Sequence, residues 1–84
     1  MKIKPIASNM TELVLNDGTV VLFSYETPVA SITPDGTHFR TEKKWSVTTS
    51  KHIGKWYKFR SYDTNRISTK SQDYFDNLMQ EVTL

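Results

Sequence analysis

The stretch TELVLNDGTVVLFSYE, residues 11–26, sets Asp17-Gly18 between two runs of Val, Leu and aromatic residues, and constrains the fold more than any other part of the chain. A two-residue type I′ turn needs centres that tolerate positive φ, which Asp-Gly supplies, so a hairpin is predicted with Asn16 paired to Thr19. That register places Leu15 opposite Val20, Val14 opposite Val21, Leu13 opposite Leu22 and Glu12 opposite Phe23. One face then carries Leu13, Leu15, Val20 and Leu22, and the other Met10, Val14, Val21, Phe23 and Tyr25. A sheet apolar on both faces must be covered on both, by helices, by its own curvature or by a second chain.

A second turn signal, Thr33-Pro34-Asp35-Gly36-Thr37, predicts another hairpin, with Ile32 facing Phe39 if Asp35-Gly36 form its centre. Pro28 then marks an edge or a bend between the hairpins, because proline cannot donate into a ladder. Along the last strand Phe39, Thr41, Lys43 and Trp45 share one face. His38, Arg40, Glu42 and Lys44 share the other, which is expected to meet solvent.

Beyond Trp45 the pattern turns helical. Thr48, Thr49 and Ser50 are N-cap candidates. Ile53, Trp56, Tyr57 and Arg60 form one stripe, and Lys51, Lys55 and Lys58 another. The stretch KWYKFRSY also reads acceptably as a strand, so both readings of residues 50–60 stay open, with helix preferred. Residues 60–68 are polar and read as a loop. Thr69 with Gln72 resembles a capping box, and Phe75, Leu78, Met79 and Val82 recur at helical spacing, which predicts a helix from about residue 70 to the end. The expectation is a single α+β domain over residues 1–84, an antiparallel meander of about four strands in two hairpins, followed by two helices packed on the sheet.

With 84 residues and no cysteine, stability must come from packing, and neither a disulfide framework nor a thiolate metal cluster is available. MKIKPIASNM has no apolar run long enough for a secretory signal, and eighteen apolar residues nowhere occur together, so a soluble protein that is not exported by the usual route is expected.

Charge is segregated. Residues 40–60 carry seven Lys and Arg against Glu42 alone, a local charge of +6, while the segments before and after are each −2. Such a layout can steer an anionic partner, or pair internally with the acidic C-terminal segment. The candidate contact residues are Arg40, Lys43, Lys44, Thr49, Ser50, Lys51, Lys55, Lys58 and Arg60, with the hydroxyls and the helix N-terminus adding donors to a phosphate. Trp45, Trp56, Tyr57 and Phe59 have the chemistry for base stacking, but a chain this short needs most of them in its core, which favours phosphate-backbone contact. The plain alternative is a basic helix face that is simply solvated.

Catalytic chemistry is not indicated. His38 and His52 are the only histidines, and without cysteine a zinc site would need carboxylates such as Glu42 or Asp63; surface histidines are the simpler reading. No elbow-type glycine pattern surrounds a serine, and Gly18 and Gly36 are taken by turns. No cofactor is called for and an enzyme is not expected.

The elements FRTEKKWSVTTSKHIGKW, FSYETPVA and DYFDNL together resemble a small family of uncharacterised proteins encoded in tailed-bacteriophage genomes, over about two thirds of the chain. The resemblance implies a phage origin and a bacterial host cytoplasm, and assigns no activity or site residues. Two partner classes follow. One is nucleic acid, contacted non-specifically through residues 40–60. The other is an acidic or nucleic-acid-mimicking surface of a host bacterial protein, as in host takeover or anti-defence, bound through the same patch. A homodimer that hides one face of the first hairpin fits either class.

Overall fold

The computed structural model describes residues 2–43, 46–60 and 67–80. Along the chain come β1 (Lys2–Ala7), β2 (Met10–Val14), β3 (Val20–Ser24), β4 (Thr27–Ile32), β5 (His38–Thr41), α1 (Val47–Phe59), β6 (Ser68–Lys70) and α2 (Gln72–Gln80). The protein is α+β: the strands form one sheet in the order β1-β2-β3-β4-β5-β6, antiparallel except for the parallel pair β5 and β6.

Among the described residues, six strands replace the four expected. β1 is an outer strand whose residues are exposed except for half-buried Ile6, so it lacks the apolar alternation that reveals a strand. β6 falls within the region read as loop and capping box. Parallel neighbours require a crossover, and α1 supplies it, bringing Ser68, Thr69 and Lys70 alongside Phe39, Arg40 and Thr41. Thr69 is therefore a strand residue, and α2 begins at Gln72, with Tyr74 N donating to Ser71 O at 3.1 Å.

Both hairpins are displaced by one residue from the predicted register, for the same reason. Leu15 and Thr19 close a three-residue loop in which Gly18 N donates to Leu15 O, with Gly18 at φ 95°. Thr33 and Thr37 close the matching loop, Gly36 N donates to Thr33 O, and Gly36 sits at φ 89°. In this geometry only the third loop residue takes the left-handed conformation, so glycine ends the turn instead of centring it. Each aspartate then caps its own loop: Asp17 Oδ1 accepts from Thr19 N, and Asp35 Oδ1 from Thr37 N and the Thr33 hydroxyl. These bonds, led by Thr19 N for Asp17 and by the Thr33 hydroxyl for Asp35, hold both carboxyls below their ordinary value.

The slip has a large consequence because alternate residues face opposite sides. Leu13 now opposes Val21 and Glu12 opposes Leu22, while Ser31, not Ile32, opposes Phe39. Met10, Leu22, Val29 and Ala30 pack with Ile53, Trp56 and Tyr57 of α1. Leu13, Leu15 and Val21 form a second cluster, flanked by Phe23 and by Leu78 of α2. Val21 and Leu22 are strand neighbours, so the two helices cover opposite faces, as a doubly apolar hairpin demands.

Pro28 is buried inside the sheet, at neither an edge nor a bend between hairpins. It sits where the β3–β4 register shifts between Leu22 and Phe23, an irregularity that tolerates a residue without N–H. His38, expected in solvent, is buried: the slipped register turns it toward α1, its ring lies 5.6 Å from that of Tyr57, and its Nδ1 donates to Gly36 O at 2.8 Å.

Helix α1 realises the predicted apolar stripe, with Ile53, Trp56 and Tyr57 all buried. Its N-cap is Ser46, ahead of the predicted candidates. Extended at φ −162°, Ser46 accepts from Thr49 N at 3.1 Å through its hydroxyl. In α2, Phe75 is buried and Leu78 half-buried as the spacing predicts; Val82, the Met79 side chain, Lys44 and Trp45 lie outside the described residues.

Candidate functional site

Of the nine residues the sequence singles out, Lys44 lies outside the described residues, and the structure distributes the other eight over three places. Arg40, Lys43, Thr49 and Ser50 line one open recess of about 310 Å³, together with Thr41, Glu42, Ile53 and Thr69. Its walls come from the end of β5, the middle of β6 and the first turns of α1. The crossover that makes β6 parallel to β5 thus also brings the N-terminal end of the helix beside Arg40 and Lys43. Glu42 shares the recess, so the local excess of positive charge is smaller than the two cations alone suggest.

Lys51, Lys55 and Lys58 stand exposed on the outer side of α1. At 1.5 Å rise per residue they span roughly 10 Å, the length of about three nucleotide steps. Lys55 also lines a smaller recess of about 230 Å³ with Ile6, Ala7 and Met10, so the lysine stripe reaches the end of β1.

Arg60 is placed differently. Its Nε donates to Glu12 Oε1 at 2.7 Å, and its outer nitrogen lies 2.5 Å from the same oxygen. Trp56 Nε1 donates to that oxygen too, at 2.8 Å. Glu12 is 2% exposed. A buried carboxylate is tolerated only when its charge is met, and here an indole N–H and a guanidinium one turn apart on α1 meet it. Sequence reasoning placed Glu12 in an ordinary cross-strand pair. Its partners lie 44 and 48 residues away in the chain, and no local pattern announces them.

Thr49 also turns inward. Its Oγ1 is 3.2 Å from Ser24 Oγ, which in turn lies 2.7 Å from His52 Nδ1. Burial holds His52 below its ordinary value, helped by the nearby Lys55 charge; burial likewise lowers His38, with a smaller contribution from Arg60. A serine hydrogen-bonded to an imidazole has the outline of a nucleophile and base. Ser24 is only 2% exposed, however, so its oxygen is closed to a substrate, and the pair reads as a buried polar brace between β3 and α1.

Two features escaped the sequence reading. By register, Lys2 and Lys4 oppose Val14 and Glu12, which puts them on the α1 side of the sheet and widens the basic surface beyond residues 40–60. Tyr25 is 53% exposed at φ 58°, with its ring centroid 5.6 Å from that of His52. A tyrosine following an apolar strand reads as one more strand residue, so only the backbone reveals that it ends the strand.

Among the described residues no helix is long and apolar enough to cross a membrane. No curated protein and no solved structure matches the chain. A family model described as a family of unknown function, DUF8033, matches residues 1–77, and the chain belongs to that family.

Proposed function

We propose that this is a small, non-enzymatic, phage-encoded protein of the host cytoplasm that contacts the phosphate backbone of nucleic acid. The observation that carries the reading is the recess where Arg40, Lys43 and Ser50 meet beside the start of α1, followed along the helix by the exposed Lys51, Lys55 and Lys58. Backbone binding needs several cations spaced along one surface and little else, because each neutralised phosphate releases condensed counterions. Burial of Trp56 and Tyr57 supports phosphate contact over stacking by those rings. Arg60 contributes indirectly, since its pairing with Glu12 fixes the last turn of the helix that presents the lysines. Lys2 and Lys4 extend the surface on the β1 side.

The test is equilibrium binding of labelled single- and double-stranded DNA and RNA across a salt series. Wild-type protein is expected to bind at low salt and to weaken steeply as salt rises, for many sequences alike. Changing Lys51, Lys55 and Lys58 together to Ala should reduce the slope of log K against log salt by about two to three while leaving stability within about 0.5 kcal/mol per site. Absence of nucleic-acid binding even at low salt would overturn the reading, and tight capture of one acidic bacterial protein through the same lysines would then identify the host-protein alternative. Unfolding of the triple variant would assign these side chains to the structure.

A further inference from the structure

Tyr25 follows Ser24 at the end of β3 and starts the tight connection to β4, in which Ser24 pairs with Thr27. Its φ of 58° lies in the left-handed region, which bulky side chains avoid and Gly or Asn accept readily. The connection between β1 and β2 solves the same problem in the expected way, with Asn9 at φ 61°, and the two turns are joined by Tyr25 N donating to Asn9 O at 2.8 Å. Burial does not explain an aromatic at the second position, because Tyr25 remains 53% exposed.

What the conformation achieves is a placement. The Tyr25 ring is set against the imidazole of His52, 46° from its plane, and Ser24 Oγ holds that imidazole at Nδ1. At about 100° per residue His52 lies on α1 just to one side of the row formed by Lys51, Lys55 and Lys58, so the exposed ring stands on the flank of the lysine stripe, backed by a side chain that is itself fixed. A ring held in this way loses little conformational freedom when a second flat surface stacks on it.

We propose that Tyr25 is a stacking platform for an unpaired base of a single-stranded nucleic acid whose phosphates lie along Lys51 and Lys55, a reading that rests on the function proposed above and deepens it. A π-face accepts any base, so the contact adds affinity for single strands without sequence preference. In a duplex the base faces are already stacked, and Tyr25 gains nothing there.

The experiment compares wild type with Tyr25→Gly, Tyr25→Asn and Tyr25→Trp, binding labelled oligothymidylate and a duplex of equal length at low salt. Gly and Asn both suit a φ near 58°, so neither should lower Tm. Each is expected to weaken oligothymidylate binding on the order of tenfold while leaving duplex affinity and the salt slope unchanged, and Trp should retain single-strand affinity. Equal oligothymidylate affinity for wild type and Tyr25→Gly would overturn the stacking role. If the lysine triple variant still lost affinity in that case, backbone contact would survive without it. Failure of the wild type to bind either probe would overturn both readings.

Discussion

On the α1 side of the sheet the buried residues include a carboxylate and a histidine, whereas the α2 side buries uncharged groups, Leu13, Leu15, Val21 and Phe75 with the hydroxyls of Thr19, Ser31 and Thr41. The contrast follows from where the charge is. α1 carries the lysines outward, and on its inward flank Trp56 and Arg60 meet Glu12, His52 meets Ser24, and Tyr57 donates its hydroxyl to Phe39 O at 2.6 Å. A directional bond fixes rotation and sliding in a way that apolar contact does not, so a helix anchored at three points presents its outer face in one orientation. Among the described residues, the hydrogen bonds that tie α2 to the sheet lie at its start, where Gln72 accepts from the Thr41 hydroxyl and donates to Pro28 O, both at 2.8 Å. Farther along, Phe75 and Leu78 pack on the sheet and the Tyr74 ring meets that of Phe39 edge-on at 5.6 Å. One polar group on that side, Ser31 Oγ, is buried with no hydrogen-bond partner among the described residues. The side proposed to bind is thus the specified one, and the other is packed by shape.

The most severe way to break this contrast is Trp56→Ala. It removes a ring that is 0% exposed, and also one of the donors to Glu12. A loss of about 3 to 5 kcal/mol is expected from the cavity alone, with the stranded carboxylate adding to it, as read by urea unfolding. Phe75→Ala on the α2 side opens a cavity but strands no charge, so its loss should be the smaller of the two. Equal losses would mean that the Glu12 bond contributes nothing net.

These dependencies mark how far the sequence could be read. The double apolar face of residues 11–25 requires cover on both sides, and the apolar stripes of the two helices can be counted off by spacing. The loops were legible in principle. Pro34 is suited to the first central position of a type I turn, which makes Asp35 the second and Gly36 the residue after it, and Asn16-Asp17-Gly18 repeats the arrangement. Taking Asp-Gly as a two-residue centre costs one residue of register and exchanges the faces of β3 and β5, which is why His38 and Glu12 were placed wrongly. β1 and β6 were not legible, because Lys2, Lys4 and Pro5 mask an edge strand and Ser68–Lys70 is a strand only through its neighbour β5. Of the site, the basic segment is visible as charge, but its division into a recess, an outer stripe and an Arg60 held by the buried Glu12 depends on contacts between residues far apart in the chain.

A milder perturbation acts on the α1 side alone. Burial holds His38 and His52 below their ordinary value near 6.5, so below that value the unfolded chain takes up protons that the folded protein resists. Their contribution to stability is complete above pH about 6.5 and is lost as pH falls through the lowered folded values. Asp17 and Asp35 have carboxyls below 3.8 and lose their contribution only in stronger acid, so the interval between pH 6.5 and about 5 isolates the imidazoles. Tm should decline across it. Phe23→Leu on the opposite face should lower the whole curve without changing its shape there, and a flat wild-type curve would show that neither imidazole resists protonation.

The smallest expected effect tests whether the α2 side is as open as it looks. Ile3, Thr11, Leu13 and Phe23 line an apolar recess of about 210 Å³ near the outer strand, and Ile3 is 69% exposed. β1 discourages addition of a further strand, because Lys2 and Lys4 are exposed along it, Pro5 lacks an N–H, and its register shifts between Pro5 and Ala7. Ile3→Lys should therefore change stability by no more than about 0.5 kcal/mol, as for other exposed positions. A loss above about 1.5 kcal/mol, together with a wild-type Tm that rises with protein concentration, would mean that a second copy buries this recess in solution. The two faces would then differ in partner, one kept for a polyanion and the other for the chain's own twin, and the lysine surface would be doubled by symmetry.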